Sequence, residues 1–329
     1  MASSVHDQYS RRFMIIPATH PRALHTVHSP DSRLDLALFD YHVFDADESA
    51  LTLVLTHGTS FNKDLWHLII DFLITSQELH GLIRRVVAID AVNHGDSALL
   101  NKEKLGKAAF WPDNAYDILT TIQTLGLSQP LVGIGHSFGG GIMAHAALLS
   151  RSSFTATILV DPILFVMPKQ DRMAADAALR RRCDWPSLGE VQDAFARSKG
   201  LADWHPKQRE IYAEKGTTVE SPQLSLRTLK TPKEQEAATY IAAPFPGLLE
   251  SLRRSTGRYN LILGGKSRVI NEQQRVEIRD AVGATKTIHV IPDAGHLIPM
   301  THPFELARLI QQQLLSLSAD RRSQPSHRL

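Results

Sequence analysis

Six short apolar runs punctuate this chain, and amphipathic stretches separate most of them. The runs are "LTLVLTHG" (51–58), "RRVVAID" (84–90), "PLVGIGHS" (130–137), "FTATILVDP" (154–162), "YNLILGG" (259–265) and "TKTIHVIP" (285–292). Each is brief and bounded by turn-forming residues, which predicts a buried strand. "RLDLALFDYHVF" (33–44) alternates only partly and predicts an early antiparallel strand. Helical spacing marks residues 62–75, 114–127, 138–149 and 303–317. Gly126 stops the second of these helices, and Pro303 suits the first turn of the last. Buried strands alternating with helices predict an α/β fold, with a mostly parallel central sheet and helices on both faces.

The alternation breaks between about 163 and 256, where the chain is polar and helical with no buried strand. That length suits a helical cap inserted over the C-terminal edge of the sheet. The expected organisation is an N-terminal extension (1–32), a core in two pieces (33–162 and 257–317), the cap (163–256) and a polar, flexible tail (318–329).

Composition narrows the partners. The 329 residues are 43% hydrophobic and 21% charged, as in ordinary globular proteins. A net charge of +2 argues against a nucleic-acid-binding face. The single cysteine, Cys183, excludes intramolecular disulfides and Cys-rich metal sites. No apolar run reaches the length of a membrane span, and the patch Phe13–Ile16 is too short for a signal peptide. An intracellular protein is expected.

The chemistry concentrates in "GIGHSFGGG" (133–141), where Ser137 sits among glycines at a strand–helix junction. Gly135-x-Ser137-x-Gly139 has the form of a nucleophile elbow, in which a strained turn exposes a serine and its neighbours must be small. A serine nucleophile needs a base. Of 16 histidines, His296 in "DAGH" lies after the last strand and before the last helix. His289 falls inside the strand and His302 at the helix start, while His136 precedes the serine and reads as structural. The base needs an orienting carboxylate. The loop after the penultimate strand, "GGKSRVIN" (264–271), has Ser267 or Arg268 where an acid is expected. Asp161, at the end of the preceding strand, is the preferred acid and Glu272 the alternative. Asp293 is near His296 in sequence but is expected on the outer side of its turn. Backbone amides of Phe138 and of Thr59, with Ser60 as the alternative to Thr59, are expected to hold an oxyanion. His57, His94 and His136 have no ligand spacing, so no metal or cofactor is expected.

With these residues in order, the chain resembles the α/β-hydrolase family. "THGTS", "AVNHGDSA", "GIGHSFGG", "LVDP" and "DAGH" follow the family's sequence of motifs, and the resemblance covers about 33–316. The departure is the missing acid after the penultimate strand; Asp161 resembles a variant arrangement within the superfamily. More narrowly, "THPRALHTVHSPDSRLDLALFDY" and "GHSFGGG…VDP" resemble fungal secondary-metabolite hydrolases, including host-selective-toxin hydrolases and the mycophenolic-acid-pathway acyl-CoA hydrolase. These imply ester or thioester substrates and a peroxisomal setting.

The expected function is a serine hydrolase acting on a small-molecule acyl substrate. Esterase, thioesterase and C–C bond hydrolysis all use the same triad, and a non-catalytic binding protein is the competing class. "RRRCDW" (180–185) is either a contact for CoA phosphates or, more simply, a solvated face. The last three residues, His327-Arg328-Leu329, resemble a peroxisomal import tripeptide read by a receptor; a cytoplasmic location is the alternative.

Overall fold

All six apolar runs become strands. The computed structural model describes residues 8–47, 49–221, 226–283 and 287–323. In chain order the first half comprises β1 (Tyr9–Pro17), β2 (Asp35–Val43), β3 (Leu51–Thr56), α1 (His67–Thr75), β4 (Ile83–Ile89), α2 (Gly95–Leu100), α3 (Trp111–Thr124), β5 (Leu131–His136), α4 (Phe138–Leu149) and β6 (Ala156–Val160). The intervening segment comprises α5 (Pro168–Arg180), β7 (Asp184–Trp185), α6 (Leu188–Arg197), α7 (Pro206–Lys215), β8 (Thr217–Ser221), β9 (Leu226–Leu229), α8 (Lys233–Ile241) and α9 (Leu248–Arg253). The chain then returns through β10 (Tyr259–Gly264), α10 (Glu272–Val282), β11 (Ile288–Ile291), α11 (Ile298–Thr301) and α12 (Pro303–Ser323).

Among the described residues, eight strands form one sheet in the order β1-β2-β4-β3-β5-β6-β10-β11. The six expected buried strands are mutually parallel, and β2 joins β4 antiparallel. Side chains alternate between two cores. On β3, Leu51, Leu53 and Leu55 enter one core with Trp66 and Ile70, while Val54 enters the other with Phe138 and Met143. Each fully buried side chain of this size contributes roughly 1.5–3 kcal/mol relative to exposure. Among the described residues, no helix is long and apolar enough to cross a membrane.

Four features differ from expectation. The segment before residue 33 contributes β1, which pairs with β2 from Tyr9↔Val43 to Pro17↔Asp35. It is an edge strand in which Arg11 and Arg12 interrupt the apolar positions, a pattern that blunts edge pairing and hides the strand from a hydrophobicity reading. The stretch 163–256 is not wholly helical, because β7, β9 and β8 form a small antiparallel sheet. Leu248 and Leu252 of α9 are buried in the main core, so that stretch ends against the core itself. Finally, α12 continues to Ser323, past its expected end at 317. His327, Arg328 and Leu329 lie outside the described residues.

Candidate active site

Strand β5 delivers Ser137. Val132 and Ile134 fill one core, and the alternate positions are glycines. A Cβ on Gly133 would fall 2.4 Å from the Met143 sulfur, and one on Gly135 2.3 Å from the Gly139 carbonyl oxygen. Helix α4 therefore starts directly against the strand. Ser137 takes the corner with φ 55° and ψ −119°, a conformation that costs a non-glycine residue of order 1–3 kcal/mol. Neighbouring backbone holds it there. The Ser137 amide donates to Val160 O at 3.0 Å, and its carbonyl accepts from Gly141 N at 3.0 Å and Ile163 N at 3.1 Å.

His296 reaches the serine because β10 ends in two glycines. A Cβ on Gly264 would fall 2.2 Å from the Gly295 carbonyl oxygen, and one on Gly265 2.5 Å from that of Pro292. The histidine loop can thus fold back over the end of β10 toward β6. His136 fixes it, its Nε2 donating to the His296 carbonyl at 2.9 Å. Burial, together with the neighbouring His296, pushes His136 down to about 3, so its ring stays neutral.

The three side chains chosen from sequence form one hydrogen-bonded chain. His296 Nε2 lies 2.8 Å from Ser137 Oγ, and His296 Nδ1 lies 2.7 Å from Asp161 Oδ2. A carboxylate can only accept from Nδ1–H, which leaves the Nε2 lone pair facing the hydroxyl. Asp161 is buried, and burial alone would raise its pKa. Hydrogen bonds from His296, from Ser267 Oγ at 2.6 Å and from Gly264 N at 3.0 Å outweigh that and hold it below the usual aspartate value. Ser267 thus occupies the loop where an acid was expected and hydrogen-bonds the acid supplied by the neighbouring strand.

The other carboxylates lie elsewhere. Glu272 begins α10 as expected for a helix start, but its side chain is 76% exposed and faces Arg275 at 3.8 Å. Asp293 is exposed and paired with Lys266 at 2.6 Å. His57 donates from Nδ1 to Gly58 O and accepts at Nε2 from Ala91 N, His94 stacks on Phe138, and His302 bonds Thr301 Oγ1. Among the described residues, no group of three His, Cys, Asp or Glu side chains is placed to share a metal ion.

Phe138 opens α4, so its amide is one of the four that lack an intrahelical acceptor. Thr59 lines the space above Ser137. Gly58 makes room for this loop, since a Cβ there would sit 2.8 Å from His136 Nδ1 and 3.2 Å from Ser137 Cβ. Ser60, the alternative to Thr59, turns with φ 79°, and its hydroxyl engages Glu236 and Tyr240. Above the serine lies a cavity of about 390 Å³ whose walls include Phe61, Trp111, Ile163, Met167, Val269 and Leu297. Gln170, Asp171 and Ala174 of α5 and Tyr240 of α8 also line it. Burial pushes the Asp171 carboxyl up to about 6 against a hydrogen bond from Met167 N. Nothing in the local sequence pattern singles out Tyr240, Gln170 or Asp171, because tertiary packing alone brings them here. Of the basic run at 180–185, Arg182 is exposed, whereas Arg181 turns inward to pair with Glu236.

Known proteins share this arrangement of elements. The type I acyl-CoA thioesterase mpaH of Penicillium brevicompactum is 30% identical over 224 residues, covering 60% of this chain and 51% of that protein. The chain thus spans about half the length of that thioesterase. Abhydrolase domain-containing protein AFT2-1 of Alternaria alternata is 25% identical over 218 residues, covering 56% of this chain and 82% of that protein. The crystal structure of the peroxisomal alpha-beta-hydrolase Lpx1 from Saccharomyces cerevisiae superposes with a TM-score of 0.85 over 98% of this chain and 93% of that one. At 23% identity this is a likeness of fold. The profile of the alpha/beta hydrolase family matches residues 53–309, from the first parallel strand into the last helix, and the chain belongs to that family.

Proposed function

We propose that this chain is a serine hydrolase that cleaves an ester or acyl-CoA thioester of a hydrophobic acyl substrate. One observation carries the reading: Ser137, His296 and Asp161 are hydrogen-bonded in series, and the serine opens onto a largely apolar cavity of about 390 Å³. Ser137 Oγ attacks the acyl carbonyl while His296 Nε2 takes its proton. Asp161 holds the ring in the required tautomer and stabilises the imidazolium that forms. The amides of Phe138 and Thr59 receive the oxyanion; losing one such donor costs about 10²–10³ in turnover. Collapse of the tetrahedral adduct expels the alcohol or thiol, which leaves with the proton from His296. Water then repeats the sequence on the acyl-serine.

Residues 163–256 serve as a cap in this reading, because α5 and α8 supply part of the wall of the cavity. The acyl chain packs against Phe61, Trp111, Ile163 and Met167, which favours chains over small acetyl groups. The likeness to mpaH, a type I acyl-CoA thioesterase, supports a thioester; a role in secondary-metabolite or toxin biosynthesis rests on the resemblance carried by "THPRALHTVHSPDSRLDLALFDY" and "GHSFGGG…VDP". A peroxisomal address fits the likeness to LPX1, a peroxisomal membrane protein of Saccharomyces cerevisiae.

The test is a hydrolysis panel of acyl-CoAs and matched p-nitrophenyl esters of increasing chain length, with Ser137→Ala as control. Turnover that rises with chain length and disappears in Ser137→Ala is expected. Turnover retained in the variant would overturn the reading, and a preference for plain esters would remove the thioester.

A further inference from the structure

The loop that carries Thr59 is gripped from the cap side, by residues that sequence reading did not select. Three cap side chains converge on Ser60. Its hydroxyl donates to Glu236 and lies 3.0 Å from the Tyr240 hydroxyl, and its carbonyl oxygen accepts from the Tyr212 hydroxyl at 3.2 Å. Ser60 and the side chains of Glu236 and Tyr212 are buried, and Arg181 closes the cluster by pairing with Glu236. Ser60 needs such a grip. Its φ of 79° lies in the left-handed region, where a serine is strained and persists only when its surroundings hold it. The Thr59 N–H belongs to the Gly58–Thr59 peptide just before Ser60, so holding Ser60 limits how this turn can place the Thr59 amide above Ser137.

Helix α8, which carries Glu236 and Tyr240, is also tied to the loop after β4 and to the start of α3. Asn93 Nδ2 donates to Thr239 Oγ1 at 2.9 Å, and Trp111 Nε1 donates to Thr239 O at 3.0 Å. Helix α8 is therefore fixed to the core, and its bonds to Ser60 have a rigid base.

We propose that Ser60, Tyr212, Glu236 and Tyr240 form a clamp through which the cap positions the oxyanion-binding loop, so that the cap contributes to turnover as well as to substrate shape. None of the four is a catalytic residue in this account; Ser60 acts through Thr59. The proposal rests on the serine-hydrolase reading and on Thr59 as an oxyanion donor. Its consequence is specific. Loosening the clamp should weaken stabilisation of the tetrahedral oxyanion while leaving ground-state binding of the acyl chain largely intact, which lowers kcat rather than raising KM.

The experiment compares wild type, Ser60→Ala and Tyr212→Phe in the full chain. Ser60→Ala removes one oxygen and leaves Cβ in place, so backbone strain is unchanged. Tyr212→Phe removes one hydroxyl that lies outside the cavity. Each is measured for kcat and KM on a medium-chain p-nitrophenyl ester and for inhibition by a trifluoromethyl ketone of matched chain length, which forms an oxyanion adduct on the serine. Ser60→Ala should lose about tenfold to 10²-fold in kcat, as expected for a misplacement of the order of 1 Å. Its KM should stay within about twofold, and ketone affinity should fall in proportion to kcat. Tyr212→Phe should shift the same two quantities by less. Unchanged kcat and ketone affinity in both variants, or a loss confined to KM, would overturn the clamp. An inactive wild type that fails to take up a fluorophosphonate at Ser137 would instead overturn the hydrolase reading on which the clamp depends.

Discussion

Helices α4 and α5 both contribute to the wall of the cavity above Ser137, and they are built differently. In α4 every residue from Phe138 to Ala147 is buried. Its glycines touch backbone: a Cβ on Gly139 would fall 2.5 Å from the carbonyl oxygens of Thr56 and His57, and one on Gly141 2.5 Å from that of Ile163. In α5 only Ala175 and Ala178 are buried, and they rest on Ala237 of α8, while Met173 is 63% exposed. Yet α5 supplies Gln170, Asp171 and Ala174 to the cavity wall. Ser137 is thus presented by a helix with no slack, and part of the cavity wall by one whose side chains are mostly not buried and can be exchanged without disturbing the core. Fixed chemistry beside an adjustable wall is an arrangement that lets one fold serve many substrates.

Two comparisons would sharpen or break this contrast, in decreasing order of effect. The first sets a buried carboxylate against an exposed one. Asp161→Asn keeps the shape but favours the wrong His296 tautomer, and kcat should fall about 10⁴-fold; Glu272→Gln should stay within about twofold of wild type. Steady-state kinetics on an activated ester would check both, and the reverse ranking would place the orienting acid on α10. The second adds bulk to each helix. Gly139→Ala should destabilise the fold by about 1–3 kcal/mol or more in urea unfolding, because backbone rather than a flexible side chain lies in the way. Ala174→Phe should unfold near the wild-type midpoint but move the preferred acyl chain toward shorter lengths by about two to four carbons, since a CH₂ group buried in the cavity is worth about 0.8 kcal/mol. Equal destabilisation by the two would end the distinction between them.

Much of this site is legible in the sequence because its signals are local. Gly135, Ser137 and Gly139 mark a corner that larger residues could not turn, between an apolar run short enough to be only a strand and a stretch of small residues at helical spacing. Asp161 is legible for a less direct reason: the loop after β10 offers Ser267 in place of an acid, and the neighbouring strand ends in an aspartate. What the sequence hides is the partner of Ser267, since nothing local says that its hydroxyl reaches Asp161 Oδ2. The contacts of Ser60 are hidden more completely, for Glu236 and Tyr240 lie about 180 positions along the chain and in a segment with no motif. Strand β1 is hidden because an edge strand carries charge among its apolar positions, and β7 and β9 because strands of two and four residues are too short to show a period. Short-range steric demands leave a trace in one chain, and long-range pairings of ordinary residues do not.

The central claim is that Ser137 is the nucleophile. The most direct measurement is to treat the purified chain with a fluorophosphonate and locate the adduct by peptide mass spectrometry. The account predicts stoichiometric labelling on the peptide that contains Ser137, loss of hydrolysis in step with labelling, and no adduct in Ser137→Ala. An adduct on another residue, or full hydrolytic activity in the protein labelled at Ser137, would contradict it.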